Sequence, residues 1–375
     1  VKRIGLITTL DTNIGDDFIR LGIVRLLGDL FRGEGLELVP VNKHRPSTVY
    51  PSWHPMHLRR FANAGPLKRA KVGARFDWAA ARMGHSRFDG CDLIVQCGAP
   101  VVWPSCHECE WALPLWHRVV APLASRIPVL NIAAGSCFPW ERRPTAIEDP
   151  RDAAFLRRIL GYCRVTTARD TLARDLFASL GADTPFIPCT AFLAPPREPL
   201  PASGRELILV NYMERGGHYD WGQEIDAERW RDTMLLLIRR LSARHRLAFL
   251  CHNEKEALLA SRLDSGIPRI LPRDADAYFK AVSLAKGAVC NRLHASVALA
   301  GLGIPSVSVG TDTRLLMVDA LGLPNHFVKE ATADLIEGEL EALIARGPAE
   351  EERLLALRRE TSDAYLGLLR EKLPA

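Results

Sequence analysis

Val1–Phe31 reads VKRIGLITTLDTNIGDDFIRLGIVRLLGDLF, and its three parts set the fold. Lys2–Thr8 is a mostly apolar run of strand length. Asp16–Phe31 is an amphipathic helix, with Phe18, Ile19, Ile23, Val24, Leu26, Leu27 and Leu30 available to one broad face. Between them lies Thr8–Asp17, TTLDTNIGDD. Asn13 or Asp16 suits the helix N-cap, and Gly15 lets backbone approach a ligand closely. A strand that turns directly into a helix of this length is the first half of a parallel βαβ unit.

The same alternation recurs outward from this unit. Strand patterns fall at Glu37–Val41, Cys91–Cys97, Ile127–Ile132 and Arg164–Thr167, with helical patterns at Glu110–Ala124, Asp152–Leu160 and Thr171–Leu180. Residues 45–86 are basic, aromatic and rich in Pro and Gly, so they read as an insertion. Ala194–Arg205 carries Pro195, Pro196, Pro199 and Pro201 and is the linker. Strand–helix alternation then restarts at Glu206–Met213 and runs through Leu247–Cys251, Gly287–Cys290, Leu293–Leu302, Ser306–Val309 and Arg314–Leu321. Two helical patterns, Thr332–Ala345 and Ala349–Leu373, close the chain. The expected domains are residues 1–194 and 206–375, joined by 195–205. The expected fold is α/β, with two Rossmann-like domains whose parallel sheets face each other across a cleft. This arrangement resembles the GT-B glycosyltransferases.

Bulk properties agree with an ordinary globular chain. Its 375 residues exceed what one core usually organises, and hydrophobic residues make up 47% against 25% charged. The net charge of +5 is spread along the chain. That argues against a nucleic-acid partner but favours approach of an anionic substrate. No apolar run nears the ~20 residues of a membrane span, and the N-terminus reads as a strand rather than a signal peptide. The expected location is cytoplasmic, and the oligomeric state is left open.

In open α/β sheets ligands sit beyond the carboxyl ends of the strands, so chemistry is sought in strand-to-helix turns. Cys290–Ser296, CNRLHAS, sets Arg292 and His294 at the start of a helix. There free N–H groups and the helix dipole attract anions. Arg adds a forked cation and His a proton donor or acceptor near neutral pH. Arg169 in ARD and Thr313–Arg314 in GTDTR offer further anion contacts. Nine cysteines in a chain this long do not form a disulfide framework. Cys106-His107-Glu108-Cys109 is a lone C-x-x-C. Cys97, Cys106 and Cys109 are the candidates for a metal, but no second pair completes a site. No cofactor is expected. Trp103, Trp111, Trp116 and Trp140 either stack on a sugar ring or pin this loop to the core.

The order of these pieces carries a resemblance. N-I-G-D-D before the first helix, the A-A-G-S turn at Ala133–Ser136, T-A-R-D at Thr167–Asp170 and R-L-H-A…G-L-G-I-P at Arg292–Pro305 resemble the polysaccharide pyruvyl transferase family. The likeness spans roughly Ile4 to Leu323. It implies a GT-B-like transferase that moves pyruvyl from phosphoenolpyruvate onto two hydroxyls of a sugar or glycan-like acceptor. It further implies Arg292 and His294 as donor-binding and catalytic residues, with Arg169 as a further donor ligand, beside which Thr313 and Arg314 of the GTDTR turn are expected donor contacts. Asp11, Asn13, Gly15 and Asp16 fall on the acceptor side, with Asp16 or Asp11 a general base. The sequence departs from the family at Cys97-Gly98-Ala99-Pro100, at Pro188-Cys189 and at Arg314. Two alternatives stand beside this reading: a GT-B glycosyltransferase using a nucleotide sugar, and a non-catalytic carbohydrate- or metal-binding protein of the same fold.

Overall fold

The computed structural model describes residues 1–10, 14–54, 85–98, 100–196 and 204–373. Its first half runs β1 (Lys2–Thr8), α1 (Ile14–Leu30), β2 (Leu36–Asn42), β3 (Leu93–Cys97), β4 (Pro100–Val102), β5 (Val129–Ser136), α2 (Pro150–Tyr162), β6 (Val165–Ala168) and α3 (Thr171–Ser179). Its second half runs β7 (Leu207–Asn211), α4 (Ala227–Ser242), β8 (Arg246–Leu250), α5 (Glu254–Leu263), β9 (Arg269–Ile270), α6 (Ala275–Val282), β10 (Ala285–Cys290), α7 (Leu293–Ala300), β11 (Ser306–Gly310), β12 (Asn325–Phe327) and α8 (Ala333–Lys372). No helix among the described residues is long and apolar enough to cross a membrane.

Each half holds one six-stranded parallel sheet. The first is ordered β2-β1-β3-β5, with β4 and β6 both paired to β5; the second is β12-β11-β10-β7-β8-β9. Register is set by apolar residues that are buried on both faces. Val95 lies opposite Leu6 and Leu130, and Val289 opposite Val210 and Val307. Such strands read as continuous hydrophobic runs because helices cover both sides of a parallel sheet. Short polar caps start the helices: Asp170, Asp226, Asn253 and Asp274 each accept from a first-turn amide.

The structure refines several expected elements. The A-A-G-S segment is not a turn but the end of β5, fully buried, with Ala133 at φ 56° where the register to β6 shifts. The helix expected over 110–124 is a π-helix at Ala112–Val120 followed by one α-turn. Arg314–Leu321 is a 3-10 turn and a four-residue helix. The two closing helices do form, meeting at Gly347 (φ 45°, ψ −122°), which Pro348 follows. Of the insertion, residues 55–84 lie outside the described residues, as does 197–203 of the linker.

The two halves share a continuous core. Phe18 of α1 lies 4.6 Å from the ring of Tyr278 and 5.3 Å from that of Phe279, so the first helix is buried by the second half. Polar stitches run beside it. Phe138 and Thr313 exchange two hydrogen bonds, amide to hydroxyl at 3.0 Å and amide to carbonyl at 2.9 Å. The hydroxyls of Ser136 and Thr313 meet at 2.9 Å. Below them, α8 crosses back to the first half, and Tyr365 donates to the carbonyls of Ile187 and Pro188.

Two glycines of α1 test this packing on one helix. A Cβ on Gly22 would fall 1.8 Å from the carbonyl oxygen of Thr190, whereas one on Gly28 would meet nothing within 4 Å. Gly28→Ala is expected to stabilise by about 0.5–1 kcal/mol through helix propensity. Gly22→Ala should lose about 1–3 kcal/mol to overpacking despite the same propensity gain. Urea melts of the two variants check the opposite signs.

Candidate active site

Both sheets reverse their winding direction at one internal pair of strands, β1/β3 in the first half and β7/β10 in the second. The crevice beyond such a pair is where an open α/β sheet binds ligands. At the second switch point two asparagines lock the backbone. Asn211, ending β7, accepts from the Arg292 amide at 2.7 Å; Asn291, following β10, accepts from the Met213 amide at 2.8 Å. Arg292 is thereby fixed as the N-cap residue of α7, in extended backbone, with a side chain that does not cap. The first α7 amides, Leu293 and His294, have no carbonyl one turn back. They open onto a recess of about 30 Å³ bordered by Gly15, Gly217, His218 and Arg314. The recess shares Arg292, His294 and Arg314 with a cleft of about 830 Å³ between the halves.

Two of the arginines here are held by buried carboxylates. Arg292 Nε and Nη2 donate to one oxygen of Glu256 at 2.8 and 2.5 Å. Burial pushes the Glu256 carboxyl up, but Arg292, the His252 ring and the His252 amide outweigh it and hold it below its usual range. Arg314 Nε and Nη2 reach the two oxygens of Asp312 at 2.8 and 2.7 Å, and its guanidinium lies 5.0 Å from the centre of the Tyr219 ring.

Arg169 differs. It is fully buried and sits on β6's carboxyl end, and no carboxylate among the described residues pairs with it. Its Nη1 donates to the Gly98 carbonyl at 2.7 Å, lies 3.9 Å from Cys189 Sγ and 3.4 Å from His294 Nε2. Its Nε and Nη2 find no partner among the described residues.

This charge discharges the histidines. Burial first, then Arg169 and Arg314, hold His294 far below the ordinary imidazole range. A guanidinium can only donate, so His294 Nε2 is the acceptor and the ring proton resides on Nδ1. His252 is lowered to about 4 by burial, and neither of its ring nitrogens has a partner among the described residues. At neutral pH the site therefore holds guanidinium charge around two neutral imidazoles.

The facing wall comes from the first half. Asp16 in the first turn of α1, Lys43 just past β2, and Cys109, Glu110 and Trp111 all line the cleft. The loop carrying these last three is pinned by Asp152, which accepts from the Ser105 and His107 amides at 2.9 and 3.0 Å.

The structure thus gathers Asp16, Arg292, His294, Arg314 and Cys109 around one cleft, with Gly15 in the adjoining recess. Arg169 is not among the cleft's lining; it lies buried behind His294. Thr313 is also fully buried, with its hydroxyl and amide spent on the junction with Ser136 and Phe138. Asp11 and Asn13 lie outside the described residues. Cys97 and Cys106 are buried, and burial pushes the Cys97 thiol up to about 12 and that of Cys106 further still. Cys109 is likewise raised to about 12 by burial. Among the described residues the cluster with metal-like spacing is instead His107, Asp149 and Asp152, whose carboxylates already serve backbone amides.

Sequence reasoning missed Lys43, Glu256, Asp312, His252 and His218. Lys43 had a readable signal, since it follows the carboxyl end of a parallel strand. Asn253 caps its helix by accepting from the Glu256 amide, and Glu256 reaches back to the His252 amide, a helix start that says nothing of the arginine Glu256 also receives.

Similarity to known proteins agrees with this geometry. A UDP-GlcNAc 2-epimerase from Neisseria meningitidis, solved with UDP-GlcNAc, superposes with TM-score 0.54 at 13% identity, covering 99% of each chain. A putative UDP-N-acetylglucosamine 2-epimerase from Listeria monocytogenes gives 0.53 at 12%, over 99% of this chain and 98% of that one. The α,α-trehalose 6-phosphate synthase from Burkholderia multivorans gives 0.50 at 13%, over 99% and 96%. At such identities the likeness establishes the two-domain GT-B fold. Comparison with curated protein sequences finds no match. The model of one sequence family does match, over residues 13–313, and so takes in α1 and the turn from β10 into α7. The chain belongs to the polysaccharide pyruvyl transferase family.

Proposed function

We propose that the chain transfers a pyruvyl group from phosphoenolpyruvate to two hydroxyls of a sugar or glycan-like acceptor. The family is one of transferases that act on polysaccharides, and the donor assignment is our reading of the site. One observation carries it: two half-partnered arginines and a free helix N-terminus surround a neutral histidine at the mouth of the cleft.

Phosphoenolpyruvate brings a phosphate and a carboxylate on adjacent atoms. Each guanidinium has five N–H groups and spends two on its carboxylate, leaving three for the donor at both Arg292 and Arg314. The α7 amides suit the phosphate. Formation of a ketal needs a proton at C3 as the first acceptor oxygen bonds to C2; the second oxygen then displaces phosphate from C2. The two acceptor O–H protons balance the one gained at C3 and the one leaving with phosphate or solvent. His294 is the proton donor to C3, and Asp16, across the cleft, takes a proton from an acceptor hydroxyl. Burial, and then the neighbouring cations, keep His294 neutral, so an arriving trianion that offsets those cations raises its affinity for a proton. Binding thus arms the acid. Arg169, beneath the imidazole, adds to the field that the donor relieves.

The direct test is steady-state release of phosphate from phosphoenolpyruvate in the presence of sugar acceptors. Release of nucleoside diphosphate from a nucleotide sugar instead would replace this reading by a glycosyl transfer. Binding of sugars with neither release would make the chain a non-catalytic member.

Arg292→Ala should weaken phosphoenolpyruvate binding by about 1.5–3 kcal/mol, the range for hydrogen bonds to charged groups. It should also lower the melting temperature, because Glu256 is left buried and unpaired. Adding Glu256→Gln should recover stability but not affinity, which titration calorimetry and thermal melts separate.

Proton linkage supplies a second check. The His294 pKa is lowered in the free protein and rises in the complex, so binding takes up protons between those two values. Affinity therefore falls as pH rises through that window. Calorimetry in buffers of different ionisation enthalpy should show proton uptake by the native protein and less by His294→Asn. The same variant should lose ~10²–10⁴-fold in turnover with donor affinity nearly kept. Equal proton uptake by both would assign the acid to another group.

A further inference from the structure

The acceptor wall holds a charge that the donor chemistry does not use. Lys43 is 6% exposed yet lines the cleft, directly after β2. Its amide donates to the Thr8 carbonyl at 2.9 Å, which carries the β1/β2 pairing one residue beyond the strands and fixes its position. Among the described residues no carboxylate lies within ion-pair distance of its ammonium. Its nearest aromatic support is the Trp111 ring, with the ammonium 4.8 Å from the ring centre. Burial lowers its pKa, and Asp16 is the strongest opposing influence. A buried ammonium without a direct counter-ion costs stability, and an apolar side chain of similar length would pack there at less expense. Residues that are costly in this way mark functional positions more often than structural ones.

We propose that Lys43 is a second catalytic residue on the acceptor side, donating a hydrogen bond to one acceptor hydroxyl while Asp16 takes the proton of the other. The assignment rests on the pyruvyl-transfer reading, because only ketal formation requires two hydroxyls of one acceptor to be presented together. A cation and a carboxylate lining one cleft wall match a diol, since one hydroxyl oxygen accepts from the ammonium and the other hydroxyl donates to the carboxylate. Trp111 holds the ammonium through the negative face of its ring and keeps the lysine within the acceptor half.

The experiment uses the full chain with Lys43→Met and Lys43→Arg. The acceptor probes are 4-nitrophenyl hexopyranosides, each offering a 1,3-diol at its 4- and 6-hydroxyls. Lys43→Met should melt at or above the native temperature and bind phosphoenolpyruvate within twofold of native. Its kcat/KM for the glycoside, read as phosphate release, should fall about 10- to 100-fold. Lys43→Arg, which keeps the charge, should recover part of that loss. Three outcomes overturn the proposal: native glycoside kinetics in Lys43→Met, a loss of stability parallel to the loss of activity, or weakened donor binding. Donor binding by the native protein with no glycoside-stimulated release also overturns it while leaving the donor reading intact. Failure of the native protein to bind phosphoenolpyruvate removes the donor reading itself.

Discussion

Positive charge taken out of water has to be answered, and the candidate site is organised around how it is answered. Arg292 is balanced by Glu256 and Arg314 by Asp312, each through two hydrogen bonds from the guanidinium. Among the described residues Arg169 makes its contacts with a carbonyl, a thiol and an imidazole nitrogen, and with no carboxylate. The imidazoles stay neutral because burial penalises their charged forms, and at His294 the neighbouring guanidinium groups add repulsion. The sum is a region with excess positive charge and room for an anion. Had Cys189 been a carboxylate, Arg169 would be neutralised and His294 would feel a weaker field.

That electrostatic arrangement depends in turn on sheet topology. The switch point at β7/β10 brings Asn211 and Asn291 side by side, and each asparagine fixes the backbone that follows the other's strand. Arg292 therefore starts a helix at a defined angle, and α7's amides face the other half. Across the gap the first half repeats the plan with β1/β3 and the turn into α1. The stitches at Ser136, Phe138 and Thr313 hold the two carboxyl-end surfaces against one another. Thr313 explains why an apparently exposed turn residue can be a poor ligand candidate: its neighbours in sequence line the cleft while its own hydroxyl bridges the halves.

The alternation of strands and helices was legible because parallel strands buried on both faces announce themselves as apolar runs, and helices between them as periodic ones. Arg292 and His294 were legible for the same reason, since they stand where a strand pattern gives way to a helix. What the sequence hid was pairing at a distance. Glu256 lies 36 residues from Arg292, and nothing local to either marks their contact. The end of β5 was hidden by composition, because Ala133, Ala134, Gly135 and Ser136 are small residues that suggest a turn. Gly135 is small because Arg169 crosses above it: a Cβ there would lie 2.3 Å from the arginine Nε. Lys43 was hidden because a lysine after a strand ordinarily lies in solvent, and nothing local marks this one as buried.

The break at Gly347 lets the last helix change direction and reach Ile187 and Pro188, 178 residues upstream of Tyr365. During synthesis, at about 5–20 residues per second, the first sheet leaves the ribosome on the order of 10–35 seconds before the helix that closes over it. For part of that interval the face of α1 that awaits Tyr278 and Phe279 has no native cover, and for all of it Ile187 and Pro188 wait for Tyr365. Contacts of such sequence separation are slow to close once the chain is free, because the loop between them must be ordered first. The nascent chain thus carries a first half whose apolar surface waits for partners made much later.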